Sequence, residues 1–542
     1  MQKPEPIFHV LRHTSFRAIW FSALISNLGG LIQAVGAAWL MTSLAEADSM
    51  VALVQTSSTL PIMLFSIPAG ALADSFDRRR IMLIAQTAML LISLGLAILA
   101  WFNLLTPWLL LGCTFLIGCG LALFNPSWQS SIGDIVPKQD IASAVTLNGM
   151  GFNMMRSVGP AIGGVIVTIA GAAGAFAANT VSYLALILAL SRWKPPSEPR
   201  LLPREAFGPA IFAGLRYFTM SSNLVHVMLR GFLFGAGAIV VLALLPIVAR
   251  ELLNGTAVTY GLLLGMFGVG GILGGVLGAR LKQRMRNEVI VRSAFGMLAL
   301  AVIGLSLSRD LWLSCVLLVP SGAGWVLAMS LFNVTVQLST PRWVVGRVLA
   351  IFQTLTFGGM AIGAWFWGAM ADLYSAPTAL ILASGLLLLG LLVGTRLPVG
   401  DSGGLDLDPL NRFVEPAVRL DLKSRNGPIM VMVDYDIHQG DIDAFLSAMI
   451  DRRRMRIRDG ARQWLLLRDL EDPDIWTESY HVPTWVEYVR HHQRRVKSDA
   501  GVTERLLALH KGEKPPRVRR MIERPTVPRH DDMPVKLPLD IH

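Results

Sequence analysis

Acidic side chains are almost missing from the first three-quarters of this chain. Residues 1–400 hold 13 Asp+Glu against 24 Lys+Arg, and no carboxylate lies in the middle of a long apolar run. Chemistry that needs a titrating acid must therefore find it at the ends of those runs. Cysteine is scarce too. Cys113, Cys119 and Cys315 each sit inside an apolar segment, which excludes a disulfide framework or metal-ligand spacing and leaves small hydrophobes in packed helices. Residues 401–542 are balanced, with 24 acidic and 24 basic groups, so the net charge of +11 belongs to the apolar part. Loop charges that orient a membrane protein explain such an excess, and nucleic acid explains it poorly. No cleavable signal peptide is expected. Residues 1–15 are polar, and the apolar run from about Phe16 to Met41 is too long for a signal-peptide core.

What is abundant is hydrophobicity: 53% of the 542 residues, with a mean hydropathy of +0.52. A membrane span needs about 20 apolar residues. Twelve are expected, starting near residues 16, 50, 80, 107, 144, 174, 224, 258, 289, 311, 346 and 376. Two landmarks recur at one spacing. Gly70-Ala-Leu-Ala-Asp74-Ser-Phe-Asp-Arg78-Arg-Arg80 is followed 208 positions later by Gly278-Ala-Arg-Leu-Lys282-Gln-Arg-Met-Arg286. Phe124-Asn125, Gln129 and Ser131 match Phe332-Asn333, Gln337 and Ser339 at the same offset. A duplicated membrane unit is the mark of secondary transporters, whose substrate site lies between the repeats. Even-numbered connections carry Arg78, Arg79, Arg80, Lys138, Arg192, Lys194, Arg280, Lys282, Arg284 and Arg286. Odd-numbered ones carry Arg250 and Arg309 beside Glu46, Asp48, Glu251, Asp310 and Asp372. The positive-inside rule then puts both termini in the cytoplasm.

The expected fold class is an all-α polytopic membrane protein, twelve helices in two six-helix repeats, followed by a small α+β domain. Residues 1–192 and 224–396 would be the two bundles. Residues 193–223 would be a cytoplasmic linker whose stretch from Phe207 to Phe218 is amphipathic and lies on the membrane surface. After a second linker, 397–423, strands are expected at about 428–435, 463–469, 475–481 and 517–523. Helices are expected over 441–458, 485–495 and 503–510. That β-α-β-β-α-β order is ferredoxin-like and spans 424–524. The Pro-rich residues 525–542 are expected to be disordered.

The Gly70 turn resembles the signature loop of the major facilitator superfamily, Gly-x-Leu-Ala-Asp-Arg-x-Gly-Arg-Arg/Lys. Gly70, Leu72, Ala73, Asp74, Arg78 and Arg79 fit; Ser75 and Asp77 depart from it. Gly159-Pro160-Ala-Ile-Gly163-Gly164 resembles the core of the motif of the superfamily's antiporters, with Met155 where an upstream glycine is usual. Leu60-Pro61 and Phe152-Asn153 before Arg156 are similar to the bacterial secretion-effector branch, which includes enterobactin-type siderophore exporters and macrolide efflux pumps. The C-terminal domain weakly resembles dimeric α/β-barrel domains of antibiotic-biosynthesis monooxygenases. The resemblance implies an alternating-access exporter of small amphipathic, siderophore- or drug-like molecules in the bacterial inner membrane. No enzyme activity and no bound cofactor are implied, and a proton gradient is the candidate energy source. The transport unit would be monomeric, with dimerisation through the C-terminal domain left open. Import of a small solute, or a membrane-tethered enzyme or regulator, are the competing readings.

In that frame Gly70, Asp74, Arg78, Arg79 and Asp134 form a conformational gate. Gly70 allows close helix approach, Asp74 leans on the N-terminus of the eleventh span, and Arg78 pairs with Asp134. Gly159, Pro160, Gly163 and Gly164 would disrupt and thin the fifth span. Amides in lipid need partners, so Asn27, Gln33, Gln55, Asn125, Gln129, Asn153, Asn333 and Gln337 are expected to face a cavity or another helix. Arg230 is near enough to a span end to snorkel. Arg156 lies about twelve residues into its span, roughly 18 Å deep, and reads as a substrate-facing cation. His491 and His492 read as a solvated helix face.

Overall fold

The computed structural model describes residues 7–194, 207–341, 343–400 and 425–523, with most of 406–423. The expected disordered segment 525–542 lies outside them. The chain divides into two compact units. One gathers Met1–Phe207, Asn223–Val336 and Leu349–Asp401; the other gathers Gly208–Ser222, Gln337–Val348 and Ser402–His542.

The first unit is helical because a chain in lipid must satisfy its backbone hydrogen bonds within each segment. Its elements are α1 (Thr14–Leu44), α2 (Asp48–Ser75), α3 (Arg78–Trp101), α4 (Pro107–Ile135) and α5 (Ile141–Arg192). After α6 (Phe207–Thr219) come α7 (Ser222–Ile247), α8 (Ala257–Arg284), α9 (Asn287–Leu307), α10 (Leu311–Leu338), α11 (Val345–Leu373) and α12 (Ala376–Val393). Side chains at the turns start the helices. Asp77 accepts from the amides of Arg79 and Arg80 at the head of α3, Thr106 caps α4, and Ser375 caps α12. Outward-facing Ile84, Leu188 and Leu300 are more than half exposed, a surface suited to acyl chains and not to water.

Eleven helices among the described residues are long and apolar enough to cross a membrane, against twelve spans expected. The difference is α5. Its 52 residues contain one break, at Gly171, where φ is +66° and ψ −175°, a conformation only glycine adopts readily. The pieces on either side are each long enough to span, and they coincide with the expected fifth and sixth spans. The repeat is visible in the ends: α2 closes at Ser75 and α8 at Arg284, while Phe124 and Phe332 are both buried.

In the second unit β1 (Ile429–Asp436), α13 (Ile442–Asp459), β2 (Arg462–Arg468), β3 (Ile475–Val482), α14 (Trp485–Gln493), α15 (Ala500–Leu509) and β4 (Arg517–Ile522) form one antiparallel sheet, ordered β2-β3-β1-β4. This is the ferredoxin-like topology. Ile429, Val431, Val433 and Tyr435 alternate into a core with Phe445, Met449, Tyr480 and Tyr488, as a sheet covered on one face requires. The same unit holds α6 and the α10–α11 connection. Arg494 stacks on Trp343 at 4.5 Å, Trp343 meets Tyr217 edge-on at 6.2 Å, and Arg216 donates to the Arg458 carbonyl at 3.3 Å.

Candidate functional site: an arginine where the two halves meet

The membrane unit has an acidic end, with Asp48, Glu251 and Asp372, and a basic end, with Arg78–Arg80 and Arg280–Arg286. At the acidic end the two halves touch. The amide of Ser49, at the head of α2, donates to Asp372 of α11 at 3.0 Å, and a Cβ on Gly368 would lie 2.6 Å from that of Ala52. Thr56 donates to the Ala361 carbonyl at 3.2 Å, and Trp39 of α1 stacks on Tyr260 of α8. Contact continues to mid-helix, where a Cβ on Gly358 would meet the Met63 sulfur at 3.0 Å and one on Gly268 would meet Ser157. At the basic end Gly70 and Gly149 have open space where a Cβ would be. The close approach expected of Gly70 is therefore not made in this conformation.

Arg78 donates to Asp134 at 2.8 Å and to the Ser130 carbonyl at 3.0 Å. This joins α3 to α4 inside one half. Arg79 donates to the carbonyls of Leu190 and Ser191, closing the last turn of α5. Asp77, a departure from the signature, supplies the cap of α3. The side chain of Asp74 lies outside the described residues.

The glycines of α5 thin the helix without disrupting it, since the backbone stays helical through Pro160 and breaks only at Gly171. Cβ atoms on Gly159 and Gly163 would meet Leu31 and Ile32 of α1 at 2.9 and 3.1 Å. One on Gly164 would meet the Ala257 carbonyl of α8 at 2.7 Å and Gly261 at 3.0 Å. So two glycines seat α5 on its own half and the third brings the halves into backbone contact.

Of the amides, Gln33 does not face a cavity. It is buried and accepts from Ser93 and Asn179, both at 2.6 Å, in a network completed by Thr180 and Ser182. Interhelical hydrogen bonding is its role, because an amide enclosed among three helices finds its partners there. Asn27, Gln55 and Asn333 are half-buried, and Asn125 and Gln129 are exposed one turn apart on α4; Gln337 is exposed near the end of α10. The side chain of Asn153 lies outside the described residues.

The two arginines within spans differ. Arg230 does not snorkel: it is fully buried, ion-paired with Glu288 at 3.3 Å and laid over the Phe295 ring at 4.9 Å. The other oxygen of Glu288 accepts from the Val399 amide at 2.8 Å, so the pair pins the chain where it leaves α12. Arg156 is half-buried and has no carboxylate partner among the described residues. Its guanidinium rests over Phe267 of α8 at 5.9 Å and Trp325 of α10 at 5.6 Å. A cation of the first half is thus faced by aromatic rings of the second. Neither ring was among the expected site residues, since aromatic residues inside apolar spans carry no signal of their own.

The family model of transmembrane secretion effectors matches residues 6–526. The staphyloferrin A transporter of Staphylococcus aureus is 24% identical over 362 residues, covering 65% of this chain and 88% of the relative. The enterobactin exporter EntS of Citrobacter koseri is 25% identical over 395 residues, covering 70% and 91%. Among solved structures, an inward-facing bacterial homologue of the human lysosomal transporter Spinster superposes with a TM-score of 0.56 at 13% identity, covering 73% of this chain and 96% of its own. A POT family transporter gives 0.58 at 13%, covering 70% and 95%. These likenesses carry the fold. This chain belongs to the transmembrane secretion effector family of the major facilitator superfamily, and it is a multi-pass membrane transporter, not an enzyme.

Proposed function

We propose that this chain exports small amphipathic anions of siderophore-like chemistry across the bacterial cytoplasmic membrane by alternating access. The observation that carries the reading is Arg156. It is a mid-span cation with no carboxylate partner among the described residues, held between the halves against two aromatic rings. An uncompensated cation in lipid is unfavourable unless something repays it, and an anion with an aromatic or apolar body does so. The names of the relatives that transport staphyloferrin A and enterobactin support the same substrate class. Loop charge supports a cytoplasmic position for the basic end and both termini. The conformation described above is then inward-facing, with α2 meeting α11 and α5 meeting α8 on the outer side. Gly70, Asp74 and Arg79 stand at the opening and Asn125 and Gln129 along its wall, while Arg78 and Asp134 brace the same end. The exposed Leu465, Leu467 and Met521 on the open sheet face support pairing of two C-terminal domains. The test is efflux. Inside-out vesicles containing the chain should accumulate an amphipathic anion when energised and its neutral analogue far less. Equal accumulation with and without the chain would refute the proposal.

A further inference from the structure

The C-terminal domain contains a cavity of about 470 Å³ between its sheet and the helices α14 and α15. Val431, Val433 and Leu506 give it an apolar floor, and Tyr435, Tyr480 and Tyr488 give it aromatic walls. Four arginines line it, Arg452, Arg456, Arg495 and Arg520, and no carboxylate does. A pocket of this kind, apolar with a few convergent polar groups, is where a small ligand binds.

The charges are unequally satisfied. Behind the wall the buried Glu478 accepts from Arg456 at 2.9 Å and lies 3.5 Å from Arg452. Burial works against its charge, but the two guanidiniums outweigh that and hold its carboxyl down at about 2. One carboxylate thus serves two arginines. Arg520, at the exposed rim, donates to the Tyr488 hydroxyl at 2.6 Å. Arg495 has no acceptor and no carboxylate partner among the described residues. Burial, then Arg456 and Arg452 beside it, bring it down to about 10. His492 offers no compensation. Burial and the nearby Arg495 hold it neutral at about 2, with Nδ1 against the Tyr488 carbonyl at 2.9 Å. The fully buried Tyr480 lines the pocket too, and its hydroxyl has no hydrogen-bond partner. A wall that leaves Arg495 and the buried Tyr480 hydroxyl without an acceptor among the described residues is suited to an anion.

We propose that this cavity is a binding site for a small aromatic or apolar carboxylate, separate from the transport path. The carboxylate pairs with Arg495 and Arg520 and accepts from the Tyr480 hydroxyl, and its body lies on the valine and leucine floor among the tyrosines. Arg495 follows Arg494, which stacks on Trp343 in the α10–α11 connection.

The experiment uses the full-length chain in lipid nanodiscs, with 1-naphthoate as probe and hydrogen exchange as readout, so that tail segments are read apart from the spans. The probe should slow exchange in residues 429–436 and 485–509. The neutral 1-naphthalenemethanol should bind at least tenfold more weakly. Arg495→Gln should weaken naphthoate at least tenfold, yet raise tail protection in the ligand-free protein, because it removes a cation that burial and two like charges disfavour. Val518→Trp, which fills the cavity from a partly exposed strand position, should abolish tail protection by the probe without altering charge. The proposal is overturned if naphthoate leaves the tail unprotected, if the alcohol binds equally well, if Arg495→Gln keeps wild-type affinity, or if that variant lowers ligand-free protection.

Discussion

Arg156 and Arg230 are the same residue in the same solvent, and the molecule treats them oppositely. Arg230 sits where α7, α9 and the exit from α12 converge, with Glu288 for its charge and a ring for its face. Arg156 sits where the halves meet, with rings and no carboxylate partner among the described residues. A paired buried cation is a fastener, and removing either partner strands the other charge. An unpaired one is, on the proposed function, a vacancy for a charge that arrives and leaves. The tail repeats the contrast at smaller scale: Arg456 is paired with Glu478, and Arg495 has no carboxylate partner among the described residues.

Breaking the fastener should have the largest effect. Arg230→Gln leaves Glu288 partly buried without its cation, a class of change that costs about 3–5 kcal/mol. The expected outcome is a large fall in thermal stability and membrane yield. Glu288→Gln added to it should recover much of the loss. A single variant as stable as wild type would dissolve the distinction between the two arginines.

The pH response of the tail comes next. His491 is held well below its usual value by burial and by Arg456, and His492 is held at about 2. Both are lower folded than unfolded, so the unfolded tail takes up protons that the folded tail refuses. Stability present above about pH 6.5 is lost as pH falls, by up to about 1.4 kcal/mol per pH unit for each histidine. Tail amide protection in the full-length chain should therefore decline between pH 7 and 5. Protection unchanged over that range would show that neither histidine is held neutral.

Asp372→Asn should have the smallest effect. It removes a charge from the head of α2, a contact of about 1 kcal/mol. Since that contact joins the halves at the acidic end, its loss should shift the population toward closure at the basic end. A cysteine placed at Gly149, open at the basic end here, should label more slowly. Unchanged labelling would remove Asp372 from the gate.

The spans, the repeat and the four strands of the tail were legible because each rests on a local pattern: run length, a fixed offset, period-two alternation. The tail strands fall within a residue or so of expectation. What the sequence concealed were facts about partners. Gln33 and Asn125 look alike in a string, yet one is enclosed among helices and the other exposed. Glu288 stands 58 positions from Arg230, and nothing local links them. His491-His492 beside Arg494-Arg495 reads as a solvated face, whereas His491 is buried against Tyr480 at 5.3 Å, because α14 presents that face to the sheet. Arg156 could be identified by depth alone; Phe267 and Trp325, its neighbours across the halves, could not.

The most direct test is Arg156→Gln in efflux and binding. The substitution keeps length and hydrogen bonding and removes the charge, and no ion pair is broken by it. The account predicts normal insertion and stability, with affinity for an amphipathic anion reduced at least tenfold, or about 1.4 kcal/mol, and a neutral analogue unaffected. A variant that transports the anion at the wild-type rate, or that loses stability as Arg230→Gln does, would contradict it.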